Sequence, residues 1–134
     1  MTLDPREYIE KALIVPGLPH ILLAPDRSPG WRSLRRSYER LAEQIASARA
    51  DLLLIYSTQW LSVIGHLFQT DPEPKWLHVD QNWYELGEIP YEFRVDAEFG
   101  HASAAAGAAN GLTASTVNYH GFPIDTGTIV ALKL

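Results

Sequence analysis

The stretch DLLLIYSTQW, Asp51–Trp60, places a continuous apolar run directly ahead of small polar residues. Such a run, without polar alternation, is typical of a parallel strand that is buried on both faces. A second run, Ala12–Val15, is closed by the turn residues Pro16 and Gly17. Between them, the segment from Ser28 to about Ala50 predicts an amphipathic helix that Ser28 caps. This strand–helix–strand order predicts a right-handed βαβ unit, and therefore an α/β fold with a mostly parallel central sheet flanked by helices.

The remaining elements are predicted from apolar runs, caps and turn residues. They are a short helix from Asp4 to about Lys11, a long loop at Leu18–Gly30, strands at Val63–Phe68, Trp76–Val79, Ala114–Val117 and Thr128–Leu132, and a helix from Asp96 to about Asn110. That last helix consists mostly of small residues, with Asp96 as its N-cap and Gly111 as its stop. Either the final strand lies at a protected edge or the sequence is a fragment of a longer chain. In both cases residues 1–134 are predicted to form a single domain.

Composition limits the possible classes of protein. No apolar run is long enough to cross a bilayer, the N-terminus lacks the pattern of a signal peptide, and there is no cysteine for a disulfide or a thiolate site. We therefore predict a cytoplasmic protein that does not bind a membrane. The net charge of −5 argues against nucleic-acid binding. The arginines that cluster around the first long helix are interleaved with acidic residues, which is typical of a solvated helix face; they are Arg27, Arg32, Arg35, Arg36, Arg40 and Arg49.

Several polar side chains follow predicted strands. His20 comes after the first strand, Gln59 and Trp60 come after the second, and His120 and Asp125 lie in a Gly/Pro-containing loop after a later strand. Because the carboxyl ends of parallel strands meet at one edge of a sheet, these residues are predicted to converge there. A non-haem iron site needs about two histidines and one carboxylate, and a glutamine amide is a poor replacement for an imidazole. The other histidines, His66, His78 and His101, are interpreted as packing or surface residues.

Three motifs together resemble the LigB-type class III extradiol ring-cleavage dioxygenases. They are Gly17-Leu18-Pro19-His20, Ser57-Thr58-Gln59-Trp60 and Asp125-Thr126-Gly127-Thr128, and Ile89–Phe93 resembles a further family segment. The resemblance covers the N-terminal half to two-thirds of a typical member. It implies that His20 matches the first Fe(II) ligand, that Gln59 stands where the second ligand histidine belongs, and that Thr126 stands where the acid–base histidine belongs. The family's distant glutamate ligand has no counterpart in these 134 residues.

These departures favour a metal-free pseudoenzyme, resembling the non-catalytic α subunit of the aminophenol-cleaving dioxygenases. The resemblance implies a homo-oligomer or a catalytic dioxygenase subunit as partner, and a small aromatic ligand as an option. The pocket is expected at His20, Gln59, Trp60, His120, Asp125 and Thr126, with no catalytic residue and no cofactor. One alternative is an active Fe(II) enzyme that combines His20 with His66 or His120 and with Asp26 or Asp125. A less favoured one is a tRNA-modification factor that uses the arginine-rich helix.

Overall fold

The computed structural model describes Asp4 and residues 7–134, which form two compact units. Unit 1 comprises the chain up to Thr58 together with Thr126–Leu134, and unit 2 comprises Gln59–Asp125. The helices are α1 (His20–Leu23), α2 (Pro29–Ala48), α3 (Ala97–Ala109) and α4 (Thr126–Lys133). The strands are β1 (His66–Gln69), β2 (Lys75–Val79), β3 (Glu88–Glu92) and β4 (Ala114–Val117). Single turns of 3-10 helix cover Pro25–Arg27 and Tyr84–Leu86.

Unit 1 is built around the predicted amphipathic helix. The Ser28 side chain accepts a hydrogen bond from the Trp31 backbone N–H at 3.2 Å, and α2 ends at Ala48, followed by Arg49 in the left-handed region with φ 54°. The predicted cap and approximate end of this helix are therefore confirmed. One face of α2 packs on the core of Ile21, Tyr38 and Val130. Residues packed around that core are Val15, Leu22, Trp31, Leu34 and Leu134.

The strands predicted at residues 12–15 and 51–57 of unit 1 are wrong for the described structure. Residues 12–15 and 51–57 belong to neither sheet of the described chain, so the βαβ unit built on them does not form there. A strand satisfies its backbone only through a neighbouring strand, whereas a helix satisfies its own. The predicted strand Thr128–Leu132 accordingly lies inside helix α4, and part of the predicted loop at Leu18–Gly30 is helical.

The predicted helix at the N-terminus falls partly outside the described residues, since Pro5 and Arg6 are among those not described. Glu7 is in a 3-10 turn, in which its N–H donates to the Asp4 carbonyl at 3.0 Å, and residues 9–11 are not helical.

Unit 2 contains both sheets. Strands β1 and β4 pair in parallel, with His66 opposite Ala114 and Gln69 opposite Val117, and helix α3 packs against both strands. Strands β2 and β3 pair antiparallel, from Lys75 opposite Glu92 to Val79 opposite Glu88. The strands predicted at 76–79 and 114–117 are confirmed, and β1 begins three residues later than the predicted Val63.

Helix α3 confirms the prediction made from its small residues. The Asp96 side chain caps it by accepting from the Phe99 N–H at 2.8 Å, and Gly111 lies just beyond its end with φ +83°. A Cβ on Gly100 would lie 2.8 Å from Thr70 Cγ2 and 2.9 Å from the Gln69 carbonyl oxygen. The helix therefore lies as close to the end of β1 as a glycine permits.

Strand β3 was not predicted, because Pro90 interrupts its apolar residues and cannot donate to a ladder. In a two-stranded sheet each strand has an open edge, where a proline is tolerated. The predicted α/β class is confirmed, with one parallel and one antiparallel sheet in the described chain. No helix in the described part of the chain is long and apolar enough to cross a membrane. The cytoplasmic location and the single domain stay predictions.

Candidate functional site

Two of the motifs meet inside unit 1 through their glycines. Gly17 and Gly127 pack backbone against backbone, so that a Cβ on Gly17 would overlap the Gly127 Cα. Helix α1, which begins at His20, contacts helix α4, which begins at Thr126. The GLPH and DTGT segments are thus neighbours in space, and only glycine at position 17 allows this approach.

His20 lies in the interior of unit 1, with 6% of its surface exposed. Its imidazole stacks on the Trp31 indole, with ring centroids 4.8 Å apart and planes inclined by 15°. Trp31 is in the first turn of α2, where the Ser28 cap fixes the backbone. The cap and helix therefore hold the aromatic surface that positions the histidine.

A hydrogen bond from Tyr38 of helix α2 connects that helix to the turn that precedes His20. The Tyr38 hydroxyl donates a hydrogen bond to the Pro16 carbonyl. Burial raises the pKa of Tyr38 above its ordinary value, so the phenol stays a donor at neutral pH. The turn that leads to His20 is therefore anchored to the core.

Thr126 is buried to the same extent as His20, at 6% exposure. The sequence placed it in a loop ahead of a strand; the structure makes it the first residue of α4. His20 and Thr126 thus belong to the same unit, where they offer an imidazole and a hydroxyl.

The remaining predicted site residues lie in unit 2. The Trp60 Nε1–H donates to the Pro123 carbonyl at 2.7 Å, and its ring meets Phe122 edge to face at 5.6 Å. Phe122 also meets Tyr119 edge to face at 5.1 Å. This tryptophan, next to Gln59 in sequence, therefore holds the loop that carries His120.

Beside this aromatic group is an open apolar cavity of about 310 Å³. The side chains that line it are those of Leu61, Ser62, Val63, Ile64, Leu67, Ser115 and Phe122. Its polar groups are two serine hydroxyls, and no charged side chain lines it. Such a lining suits a small neutral ligand with an apolar body.

His120 and Asp125 face different partners within unit 2. His120 lies edge to face with Trp76, with ring centroids 6.2 Å apart. Asp125 instead acts electrostatically on His78, as does Asp80. Burial lowers the pKa of His78, and the two carboxylates oppose that change.

His78 has its pKa shifted by its surroundings although it is not among the residues predicted for the site. It was interpreted as a packing or surface residue because it lies in a strand, and it does lie in β2. Asp80 follows two residues later, just beyond the end of β2, where its Oδ1 accepts from the Asn82 and Trp83 N–H groups.

The predicted residues are therefore distributed over two units, each described by itself. Unit 1 holds His20 and Thr126, and unit 2 holds Gln59, Trp60, His120 and Asp125. The convergence of His20 with Gln59 stays a prediction. Asp26, one of the two carboxylates considered for an altered Fe(II) site, forms an ion pair with Arg32, with an Oδ1–Nη1 distance of 3.3 Å.

The residues at the motif positions differ from the usual ligands of an Fe(II) centre. Among Asp4 and residues 7–134, no group of three or more His, Asp or Glu side chains is arranged to hold a metal ion. At the three positions that the resemblance compares, His20, Gln59 and Thr126 supply an imidazole, a neutral amide and a hydroxyl, whereas Fe(II) in such sites takes imidazoles and a carboxylate.

Comparison with known proteins confirms the resemblance that the motifs indicated. The chain is related in sequence to the subunits of a dioxygenase. It is 39% identical, over 123 residues, to the 2-aminophenol 1,6-dioxygenase alpha subunit of Pseudomonas sp. It is 29% identical, over 133 residues, to the beta subunit of that enzyme from Pseudomonas sp.

These matches cover most of this chain but only part of each relative. They include 92% and 94% of this chain, against 45% and 44% of the alpha and beta subunits. The chain thus spans a little under half the length of the relatives it matches. No protein-family model matches the chain.

Proposed function

We propose that this chain is a metal-free, non-catalytic subunit related to the 2-aminophenol 1,6-dioxygenase alpha subunit. The observation that carries the proposal is the buried Thr126 beside the Gly17–His20 segment. A threonine hydroxyl has no pKa near neutrality and cannot exchange protons with a substrate as a histidine does. The position that the resemblance assigns to acid–base chemistry therefore lacks a group for it.

The donor set supports the metal-free part of the proposal. Gln59 replaces an imidazole with a neutral amide oxygen, and His20 is packed face to face on Trp31. A stacked, interior histidine has a packing role that does not require a metal.

The proposal includes a partner and a ligand class. The two relatives are the alpha and beta subunits of one dioxygenase, which supports a catalytic dioxygenase subunit as the partner. The uncharged cavity beside Phe122 supports a small aromatic ligand.

Metal content and activity test the proposal directly. The chain is purified without oxygen from iron-replete cells, its iron is measured by mass spectrometry, and cleavage of catechol and 2-aminophenol is followed by absorbance. We expect far less than one iron per chain, no ring cleavage, and the same residual metal in His20→Ala as in the unmodified chain. One iron per chain with cleavage of either substrate would overturn the proposal.

The same variant separates the alternative of an active enzyme with an altered site. If His20 acts with His66 or His120 to hold Fe(II), His20→Ala loses the metal. Arg40→Ala serves as the matched control, because Arg40 is exposed and its Nη2 donates a solvent-exposed hydrogen bond to the Ser37 hydroxyl at 2.8 Å, distant in sequence from His20 and the other motif residues.

The nucleic-acid alternative receives little support from α2. Arg35 pairs with Glu39 at 3.0 Å and Arg32 pairs with Asp26 at 3.3 Å, so part of the positive charge is neutralised locally. Binding of tRNA at low salt that weakens steeply as salt rises would favour that alternative.

A further inference from the structure

One peptide group in the loop that follows β4 is held by two aromatic side chains. The Trp60 Nε1–H donates to the Pro123 carbonyl at 2.7 Å, and the Ile124 N–H donates to the Tyr91 hydroxyl at 3.3 Å. That carbonyl and that N–H belong to the same peptide group. Because a peptide group is planar and rigid, hydrogen bonds to both of its ends fix its orientation as well as its position. Trp60 and Tyr91 therefore clamp the Pro123–Ile124 peptide.

The clamp supplies partners that secondary structure does not supply in this loop. Residues 118–125 of the described chain belong to neither a helix nor a sheet. Ile124 is 6% exposed and Tyr91 is 5% exposed, so that water has little access to this end of the peptide. A buried backbone N–H needs a hydrogen-bond partner, and the Tyr91 hydroxyl provides it. The position of the loop is therefore sensitive to these side chains.

The clamped peptide lies close in sequence to one wall of the apolar cavity. Phe122, which lines that cavity, is joined to Ile124 through Pro123, and the proline ring fixes its own φ. Phe122 also meets Tyr119 edge to face, and its N–H donates to the Tyr119 carbonyl at 3.3 Å. Because few torsions between the clamp and Phe122 are free, a change in the clamp is transmitted to the phenylalanine ring.

Two further interactions connect the same loop to strand β2. His120 lies edge to face with Trp76, and Asp125 acts electrostatically on His78. The loop, the clamp residues and the cavity all belong to unit 2. The whole arrangement is therefore described within one unit.

Both clamp residues come from segments that carry the family resemblance, STQW and IPYEF. We propose that Trp60 and Tyr91 are positioning residues, which hold the Pro123–Ile124 peptide and thereby set the Phe122 wall of the cavity for an aromatic ligand. The inference rests on the proposed function for the class of ligand, whereas the clamp itself does not require it. It gives the two segments a role that needs no metal.

Hydrogen exchange measured by NMR tests whether the clamp acts as one unit. Trp60→Phe and Tyr91→Phe each remove one hydrogen bond and keep an aromatic ring. In Trp60→Phe we expect the Ile124 amide to exchange about three- to tenfold faster, although its own partner Tyr91 is intact. In Tyr91→Phe we expect the Trp60 indole N–H to exchange faster by a similar factor. An Ile124 amide whose exchange Trp60→Phe leaves unchanged would overturn the proposal.

Tyr84→Phe is the matched control, because it removes the same hydroxyl from a tyrosine of unit 2 that is 71% exposed. We expect it to leave both exchange rates unchanged. Circular dichroism of the three variants checks that each retains its fold. Equal acceleration in Tyr84→Phe would indicate a general loosening of unit 2 and would contradict a specific clamp.

Binding of benzyl alcohol, a small neutral aromatic probe, tests the connection to the cavity by NMR titration. We expect the dissociation constant to rise about threefold or more in Tyr91→Phe and to stay unchanged in Tyr84→Phe. Tyr91→Phe isolates the effect of the peptide, because Trp60 also touches the Phe122 ring itself. Unchanged affinity in Tyr91→Phe would overturn the role in ligand binding. Failure of the unmodified chain to bind the probe would instead contradict the ligand class of the proposed function, while the exchange rates still decide whether the clamp exists.

Discussion

The His20 imidazole lies parallel to the Trp31 indole, with a centroid separation of 4.8 Å, so the candidate ligand of this chain is also part of its core packing. We expect Trp31→Ala to destabilise the chain by about 2–3 kcal/mol, because it removes the stacked surface and leaves His20 beside a cavity. Trp31→Phe keeps an aromatic face and should cost about 1 kcal/mol. Urea unfolding followed by circular dichroism measures both; equal costs would show that stacking is not what stabilises the pair.

The contact between Gly17 and Gly127 predicts a specific intolerance to a methyl group. In Gly17→Ala the new Cβ would overlap the Gly127 Cα, and backbone cannot move aside as a flexible side chain can. We expect a loss of about 3 kcal/mol or more, or failure to fold. Gly30→Ala is the matched control, since its Cβ would meet only the Ser28 hydroxyl at 3.7 Å, an ordinary contact. A stability change within about 1 kcal/mol is expected there, and similar losses in both variants would contradict the close approach.

Two glycines of unit 2 separate the cost of backbone conformation from the cost of a clash. Gly65 has φ +70° and a Cβ there would overlap the Thr113 carbonyl, whereas Gly111 has φ +83° with no atom within 4 Å of such a Cβ. We expect Gly111→Ala to cost about 1 kcal/mol from conformation alone. Gly65→Ala should cost about 3 kcal/mol, because the clash is added. Thermal unfolding measures the difference, and equal values would exclude the contribution of Thr113.

Protonation of His78 is coupled to the stability of unit 2. Burial lowers its pKa below the ordinary 6.5, although Asp80 and Asp125 oppose the change. The unfolded chain therefore takes up this proton at a higher pH than the folded chain does. The stability that neutral His78 contributes is fully present above the ordinary pKa and is lost as the pH falls through the lower, folded-state pKa.

We accordingly expect the urea midpoint to fall between about pH 7 and pH 5, and His78→Gln to flatten that fall. His101→Gln is the control, because His101 is exposed on α3. A profile that His78→Gln leaves unchanged would show that another group is responsible.

Local chemistry determined much of this structure from the sequence. Ser28 and Asp96 each cap a helix through their own side chains, and the 114–117 strand and the small-residue helix have the predicted bounds within a residue or two. Caps and turn glycines act within a few residues, so the sequence contains all the information that they need. The motifs could also be recognised from the sequence, and the sequence similarity to the dioxygenase subunits agrees with them.

Tertiary structure decided what depends on distant partners. The runs at 12–15 and 51–57 have the composition of strands, yet a strand forms only beside another strand, and the described chain gives them none. Thr128–Leu132 became helical because a helix closes its own hydrogen bonds. The juxtaposition of Gly17 with Gly127, and the electrostatic effect of Asp125 on His78, involve residues far apart in sequence. No local pattern encodes those contacts, because packing of the whole unit determines which distant residues become neighbours.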